Sequence, residues 1–191
     1  MNTAIIALDF VNDIVSKDGK IPSCAAHVEE RHVIQNANVA LQTARKNHWL
    51  VILVKVGFSE HYLEQPKNSP IFGKANQLQA LKLNTWGTEF HPQLEISSTD
   101  RIIVKSRVSP FYATNLDAVL SANNIQRLIL CGVSSTWAIQ AAARDGHDRD
   151  YEIIVLEDAC AAANEEEHQL SMKQLSRIAK VLTIKELVSM N

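Results

Sequence analysis

The stretch Arg127-Leu128-Ile129-Leu130-Cys131-Gly132-Val133-Ser134-Ser135-Thr136-Trp137-Ala138 decides the fold. Residues 127–131 form an apolar run too short for a helix and suited to a strand buried on both faces. Residues 136–149 read as a helix, so a strand passes through a short turn directly into a helix. Ala138 then falls in the first turn of that helix, where unpaired backbone N–H groups and the helix dipole favour developing negative charge. The turn has the form of one that presents a nucleophile, and the presenting position holds alanine.

The same alternation continues on either side. Ala4 to Leu8 is a five-residue apolar strand that ends at Asp9. From Glu29 to Asn47 the apolar positions Val33, Ile34, Ala37, Ala40, Leu41 and Ala44 recur at intervals of three and four, which is helical spacing. Trp49–Val56 and Arg101–Val104 are further strands, the second ending at Lys105, and Asn115–Asn123 is a short helix. Strand 152–156, helix 165–179 and a short strand near Val181 complete the pattern, with Asn164-Glu165-Glu166-Glu167 marking a helix start. Gly57–Gln93 is a long excursion punctuated by prolines and glycines, with a short helix over Ala75–Leu81.

Strands alternating with helices imply a parallel sheet, because parallel neighbours need crossover connections. The expected fold is therefore α/β: a single-domain, doubly wound, Rossmann-like sheet over residues 1–191 with helices on both faces. Ligands bind such sheets outside the carboxyl ends of the strands. Asp9, Lys105 and the 132–138 turn all fall at strand carboxyl ends, so three separate segments converge on one rim.

Composition excludes several classes of function. The 191 residues carry a formal charge of -2 from interspersed acids and bases, with no basic stripe for a phosphate backbone. No apolar run approaches the roughly 18–20 residues of a membrane span. Three cysteines, Cys24, Cys131 and Cys160, are an odd number without paired spacing, and Met1-Asn2-Thr3 leads straight into the first strand. The expectation is a soluble cytoplasmic protein acting on a small molecule, with neither nucleic acid nor membrane as a partner.

Several blocks of sequence carry a family resemblance: Ala7-Leu8-Asp9-Phe10-Val11-Asn12-Asp13, Gly87-Thr88-Glu89-Phe90, Val104-Lys105-Ser106-Arg107-Val108-Ser109-Pro110-Phe111, Cys131-Gly132-Val133-Ser134, Ala143-Arg144-Asp145 and Glu157-Asp158-Ala159-Cys160. In order and spacing the chain resembles the isochorismatase-like hydrolases, or cysteine hydrolase superfamily, over nearly its whole length. That resemblance implies an aspartate at Asp9, a lysine at Lys105 and the usual nucleophilic cysteine at the place of Ala138. A glutamine frequent in the family is replaced by Val11, and a cis peptide is implied between Val133 and Ser134. The Asp-x-His metal cluster of the nicotinamidase branch is missing from Val56-Gly57-Phe58-Ser59-Glu60-His61, so neither a metal nor another cofactor is expected. The resemblance further implies a homodimer or homotetramer.

Three functions follow from that resemblance. The first is a cysteine-independent hydrolase in which Asp9 acts as general acid with Lys105, with isochorismate-type vinyl ethers the leading substrate class. The second is a non-catalytic relative that binds a small molecule. The third is a cysteine-to-alanine variant of a C–N amidohydrolase. Phe58, Arg107, Val133, Ser134 and Trp137 are candidate substrate contacts: Arg107 for a carboxylate, the aromatics as pocket walls. Each has a plainer reading, an ion pair for Arg107 and core packing for Phe58 and Trp137. Trp86 either reaches a neighbouring subunit or anchors the excursion. Gly132-Val133-Ser134-Ser135-Thr136, followed by Asp158 and His168, comes near a nucleophile elbow but lacks its second glycine. His27 and His32 are five apart and do not share a helical face. Cys131 and Cys160 read as small buried hydrophobes.

Overall fold

The computed structural model describes residues 1–190. The strands are β1 (Thr3–Leu8), β2 (Leu50–Val56), β3 (Arg101–Lys105), β4 (Arg127–Val133), β5 (Glu152–Ala161) and β6 (Lys180–Leu182). Between them run α1 (Asn12–Val15), α2 (Ala25–Glu30), α3 (Val33–Lys46), α4 (Ala75–Leu78), α5 (Leu116–Ala122), α6 (Gln140–His147) and α7 (Glu165–Leu175), and α8 (Ile184–Ser189) follows β6. All pairings are parallel and the strand order is β3-β2-β1-β4-β5-β6. The chain winds outward from β1 through β2 to β3, then returns to β1's other side and winds outward again. Its direction of winding reverses between β1 and β4, and a crevice opens there at the carboxyl ends.

Alternation along the strands builds two cores. Ile5, Ala7, Leu53, Ile129 and Cys131 face α3, whose Val33, Ile34, Ala37, Ala40, Leu41 and Ala44 complete one layer. Ala4, Ile6, Leu8, Ile52, Val54, Leu128 and Leu130 face the other way, onto Leu116 and Leu120 of α5, Ala142 and Ala143 of α6 and Leu175 of α7. The excursion has a small core of its own, with Phe58, Tyr62, Phe72, Ala80 and Leu81 gathered over Val11 and Val56. Asp13 ties that excursion down: its carboxylate accepts the Leu81 N–H at 2.7 Å and the Lys20 N–H at 3.2 Å.

Several elements differ from the sequence expectation. The helix expected from Glu29 begins only at Val33, because His32 turns left-handed (φ 53°) and Glu29–Glu30 close α2 instead. The Ala75 helix stops at Leu78, since Gln79 is left-handed at φ 51°. The strand expected at 152–156 runs on to Ala161, with a register shift opposite Leu130 and Gly132 that lets the polar Glu157–Asp158 pass through the ladder. The helix expected from Thr136 opens as one π turn, Ser135–Ile139, before α6, which ends at His147. The helix expected to reach residue 179 ends at Leu175, and the short helices α1 and α8 were not foreseen. The helix start at Asn164 holds: its side chain accepts the Glu167 N–H at 2.9 Å.

Gly132 is the position where the sheet tolerates no side chain. Its φ is 126°, and a Cβ there would lie 2.1 Å from the Leu8 carbonyl oxygen, one residue before Asp9. Gly132→Ala should therefore destabilise the fold by about 2 kcal/mol or more, read as a lower midpoint in urea denaturation. An unchanged midpoint would mean that β1 and β4 separate more readily than their register implies.

Candidate active site

The site is built from the ends of four adjacent strands. β1 ends at Leu8, and Asp9 leaves it with a left-handed backbone, φ 59°, while its N–H still donates to the Val54 carbonyl at 2.8 Å. That conformation swings the carboxylate across the end of β2. There Oδ1 accepts the Val56 N–H at 2.8 Å, and Oδ2 lies 2.7 Å from Lys105 Nζ at the end of β3. The ammonium also donates to the Val108 carbonyl at 2.8 Å. Both charged side chains are buried, each residue 3% exposed.

Two influences on Asp9 oppose each other. Burial disfavours the carboxylate, while the Lys105 charge and the bonds from Lys105 and Val56 favour it. Burial is the larger, and the Asp9 pKa stands above the ordinary aspartate value. A proton on Asp9 is thus easier to keep than on a solvated aspartate.

β4 contributes the other side of the crevice. The Val133–Ser134 peptide is cis, as the family resemblance implies. After it the π turn carries Ser135 inward and presents Ser134, Trp137 and Ala138 to the pocket. Asp9, Lys105, Val133, Ser134, Trp137 and Ala138 all line one cavity of about 110 Å³. Its remaining walls are mostly apolar, with Ile14, Ile21, Ser23 and Cys24 from the segment after β1, Ile71, Phe72 and Leu81 from the excursion, Val56 at the end of β2 and Val108 after β3.

Phe58 and Arg107 stand elsewhere. Phe58 is fully buried and packs edge-on against Phe72, 5.6 Å between ring centroids, so it belongs to the core of the excursion and does not line the cavity. The Arg107 guanidinium donates to the Glu64 and Ser106 carbonyls at 2.9 and 2.7 Å and lies over the Tyr112 ring. It braces the loop after β3, and the cavity wall is formed without it. Trp86 anchors the excursion through its carbonyl, which accepts the Asn12 side-chain N–H at 2.9 Å.

The nucleophile-elbow arrangement is not formed. His168 Nδ1 lies 2.8 Å from the hydroxyl of Ser135, not Ser134, and both residues are fully buried. Asp158 is engaged apart from them, accepting the Ile184 N–H at 2.9 Å. His168 Nε2 is 3.5 Å from Glu157, and Arg31 links Glu157 to Glu165. The thiols do not replace a nucleophile at neutral pH. Burial pushes Cys24 up to about 11 and Cys131 up to about 12, so both stay protonated. Among the described residues no cluster of three or more His, Cys, Asp or Glu side chains is placed to hold a metal ion.

This geometry can be set against known proteins. The isochorismatase domain family matches residues 3–186. The chain belongs to the isochorismatase family. It is 28% identical over 192 residues to the isochorismatase family protein YecD of Escherichia coli O157:H7, covering 98% of this chain and 95% of that protein. It is 30% identical over 184 residues to the ureidoacrylate amidohydrolase RutB of Acinetobacter baylyi, covering 89% of this chain and 75% of RutB. A cysteine hydrolase structure from Pseudomonas syringae pv. phaseolicola superposes with a TM-score of 0.86 at 24% identity, over 98% of this chain and 91% of that one. The nicotinamidase PncA of Bacillus subtilis gives 0.79 at 22% identity, over 95% of this chain and 100% of that one. At such identities the structural likeness establishes the fold. The domain match, with relatives that include amidohydrolases, makes this chain an isochorismatase-family hydrolase.

The isochorismatase-family turn rests on the Ser135–His168 contact. Ser135→Ala leaves the His168 ring nitrogen without that partner in a dry site and should cost about 1–3 kcal/mol in urea denaturation. Ser134→Ala, whose hydroxyl meets Thr136 Oγ1 at 3.2 Å on the cavity side, should cost less than about 0.5 kcal/mol. Equal losses would show that the buried contact does not hold the turn.

Proposed function

We propose that this hydrolase works without a cysteine nucleophile: Ala138 stands where cysteine-bearing relatives carry sulfur, and Asp9 supplies a proton in its place. The observation that carries this reading is the cavity's set of ionisable groups. Asp9 and Lys105 line it together with Ala138, and the one thiol on its wall, Cys24, is held protonated. A general acid needs only an available proton and a positioned water. Asp9, with its raised pKa, fits the first requirement.

The bond cleaved is then a vinyl ether, the bond type of isochorismate. Protonated Asp9 delivers its proton to the enol-ether carbon, and the carbon bearing oxygen becomes an oxocarbenium ion. Water adds to that cation and returns a proton to the Asp9 carboxylate. The resulting hemiacetal separates into a carbonyl compound and an alcohol. Lys105 holds the carboxylate in position and keeps burial from raising its pKa without limit. The ureidoacrylate amidohydrolase relative favours a second reading, C–N cleavage that awaits a nucleophile at position 138. A homodimer or homotetramer is part of the proposal, supported by apolar side chains such as Leu63, Tyr112 and Trp86 standing exposed on the surface. Light scattering at several concentrations reads the mass directly, and a monomer throughout would contradict the oligomer.

Asp9→Asn should lower kcat for a vinyl ether by about 100-fold or more. Because the acid form is the active one, the rate should fall as pH rises through the Asp9 pKa. Lys105→Met removes a charge that lowers that pKa, so the falling limb should move to higher pH. A limb that stays in place in Lys105→Met, or survives in Asp9→Asn, assigns the acid to another group. Amide turnover that appears only in Ala138→Cys would favour the second reading.

A further inference from the structure

Behind the turn lies a cluster of polar groups that the chemistry at Asp9 does not use. His168 of α7 is fully buried, with Nδ1 2.8 Å from the Ser135 hydroxyl and Nε2 3.5 Å from Oε2 of Glu157 on β5. Arg31, at the end of α2, donates to the same Glu157 oxygen at 2.9 Å and to Glu165 at 3.0 Å. Glu165 opens α7 and also lies 2.9 Å from His27 Nε2 of α2, whose ring meets the His168 ring edge-on, 5.8 Å between centroids. α6 meets α7 through Gln140, which carries no charge. The cluster joins two walls of the cavity. Ser135 begins the π turn that carries Trp137 and Ala138, and His27 lies one turn of α2 beyond Cys24.

The tautomer of His168 follows from its two neighbours. A carboxylate only accepts, so the ring nitrogen facing Glu157 carries the proton and Nδ1 is bare. The Ser135 hydroxyl then donates to Nδ1. Burial and the Arg31 charge hold the His168 pKa below the ordinary histidine value, against the pull of Glu157 and Glu165, so the ring is neutral at neutral pH. A second proton would sit on Nδ1 and turn that nitrogen into a donor. The Ser135 oxygen would then have to accept, and its own proton would lose its partner in a dry site. The cluster has no spare acceptor for it: among the described residues His168 Nε2 and Arg31 Nε already lack hydrogen-bond partners.

We propose that His168 is a positioning residue for the hydrolase site: neutral, it holds Ser135 inward and so sets the π turn that presents Ser134, Trp137 and Ala138, and on taking up a proton it reverses that bond and releases the turn. Position 138 belongs to the site in both readings of the bond cleaved, so His168 serves either. In the vinyl-ether reading Asp9 must hold a proton while His168 must not, which bounds the working pH from both sides.

NMR of the intact chain tests this without a substrate. The Trp137 indole N–H, assigned by comparison with Trp137→Phe, reports the turn. The Trp49 and Trp86 indoles report the rest of the fold, and the His168 ring protons, assigned by comparison with His168→Asn, report its charge. As pH falls from neutrality, the Trp137 signal should shift with the midpoint of His168, a shift that Trp49 and Trp86 do not share. Asparagine places an acceptor oxygen close to where Nδ1 stands and takes up no proton. His168→Asn should therefore keep the neutral-pH position of the Trp137 signal and lose that shift. Any component that Asp9 contributes stays in His168→Asn and is lost in Asp9→Asn. Ser135→Ala cuts the link at its other end: His168 should still titrate, and the Trp137 signal should no longer follow it. A histidine that only fills space leaves Trp137 indifferent to its charge, and that result overturns the proposal. So does a shift that survives whole in His168→Asn or Ser135→Ala, or a His168 that takes up no proton before the fold is lost.

Discussion

Lys105 and Asp9 meet at 2.7 Å in a place that water hardly reaches, and the sheet is arranged so that they can. The two residues belong to β3 and β1, which are not neighbours; β2 lies between them. Asp9 spans the gap by leaving β1 in a left-handed turn and laying one oxygen on the Val56 N–H of β2. Burying two charges is expensive, and the cost is offset only where geometry and further hydrogen bonds satisfy both partners. Val56, Val108 and the mutual contact do that here. The close approach of β4 to β1 at Gly132 places the turn with Ala138 against the same pair. Asp13 holds the excursion whose apolar residues close the cavity over it.

Much of the fold was legible because buried parallel strands are short apolar runs and their connections have helical period. All six strands and the larger helices were expected near where they lie. What escaped was decided by single residues or by tertiary partners. The break at His32 is a backbone conformation with no proline or glycine to announce it. The extension of β5 carries Glu157 and Asp158, whose polarity hides a strand; they persist because Arg31 meets Glu157 and the Ile184 N–H meets Asp158. α1, with four residues, is too short for periodicity to register, although the α8 start does carry a capping box at Thr183 and Glu186.

The candidate site divides in the same way. Asp9, Lys105, Val133, Ser134, Trp137 and Ala138 were visible as strand ends and one turn, and they share a cavity. Phe58 and Arg107 sit beside strand ends too, but their side chains found better partners in Phe72 and in two carbonyls. The apolar wall from Ile14 to Cys24 and from Ile71 to Leu81 had no signal in the sequence, since it is assembled from segments that tertiary contacts, those of Asp13 among them, bring together. Ser135 was overlooked in favour of Ser134. The π turn rotates it into the interior toward His168, and nothing local distinguishes that turn from an ordinary helix start.

The account turns on whether burial outweighs the ammonium at Asp9. The most direct measurement is a pH titration of the Asp9 carboxyl carbon by NMR in the intact protein, assigned by comparison with Asp9→Asn. A midpoint above the ordinary aspartate value of 3.8 is the predicted result, and it makes Asp9 a side chain able to hold a proton for an enol ether. A midpoint at or below that value would contradict it, because Lys105 would then hold Asp9 as a permanent carboxylate and the proton would have to come from elsewhere.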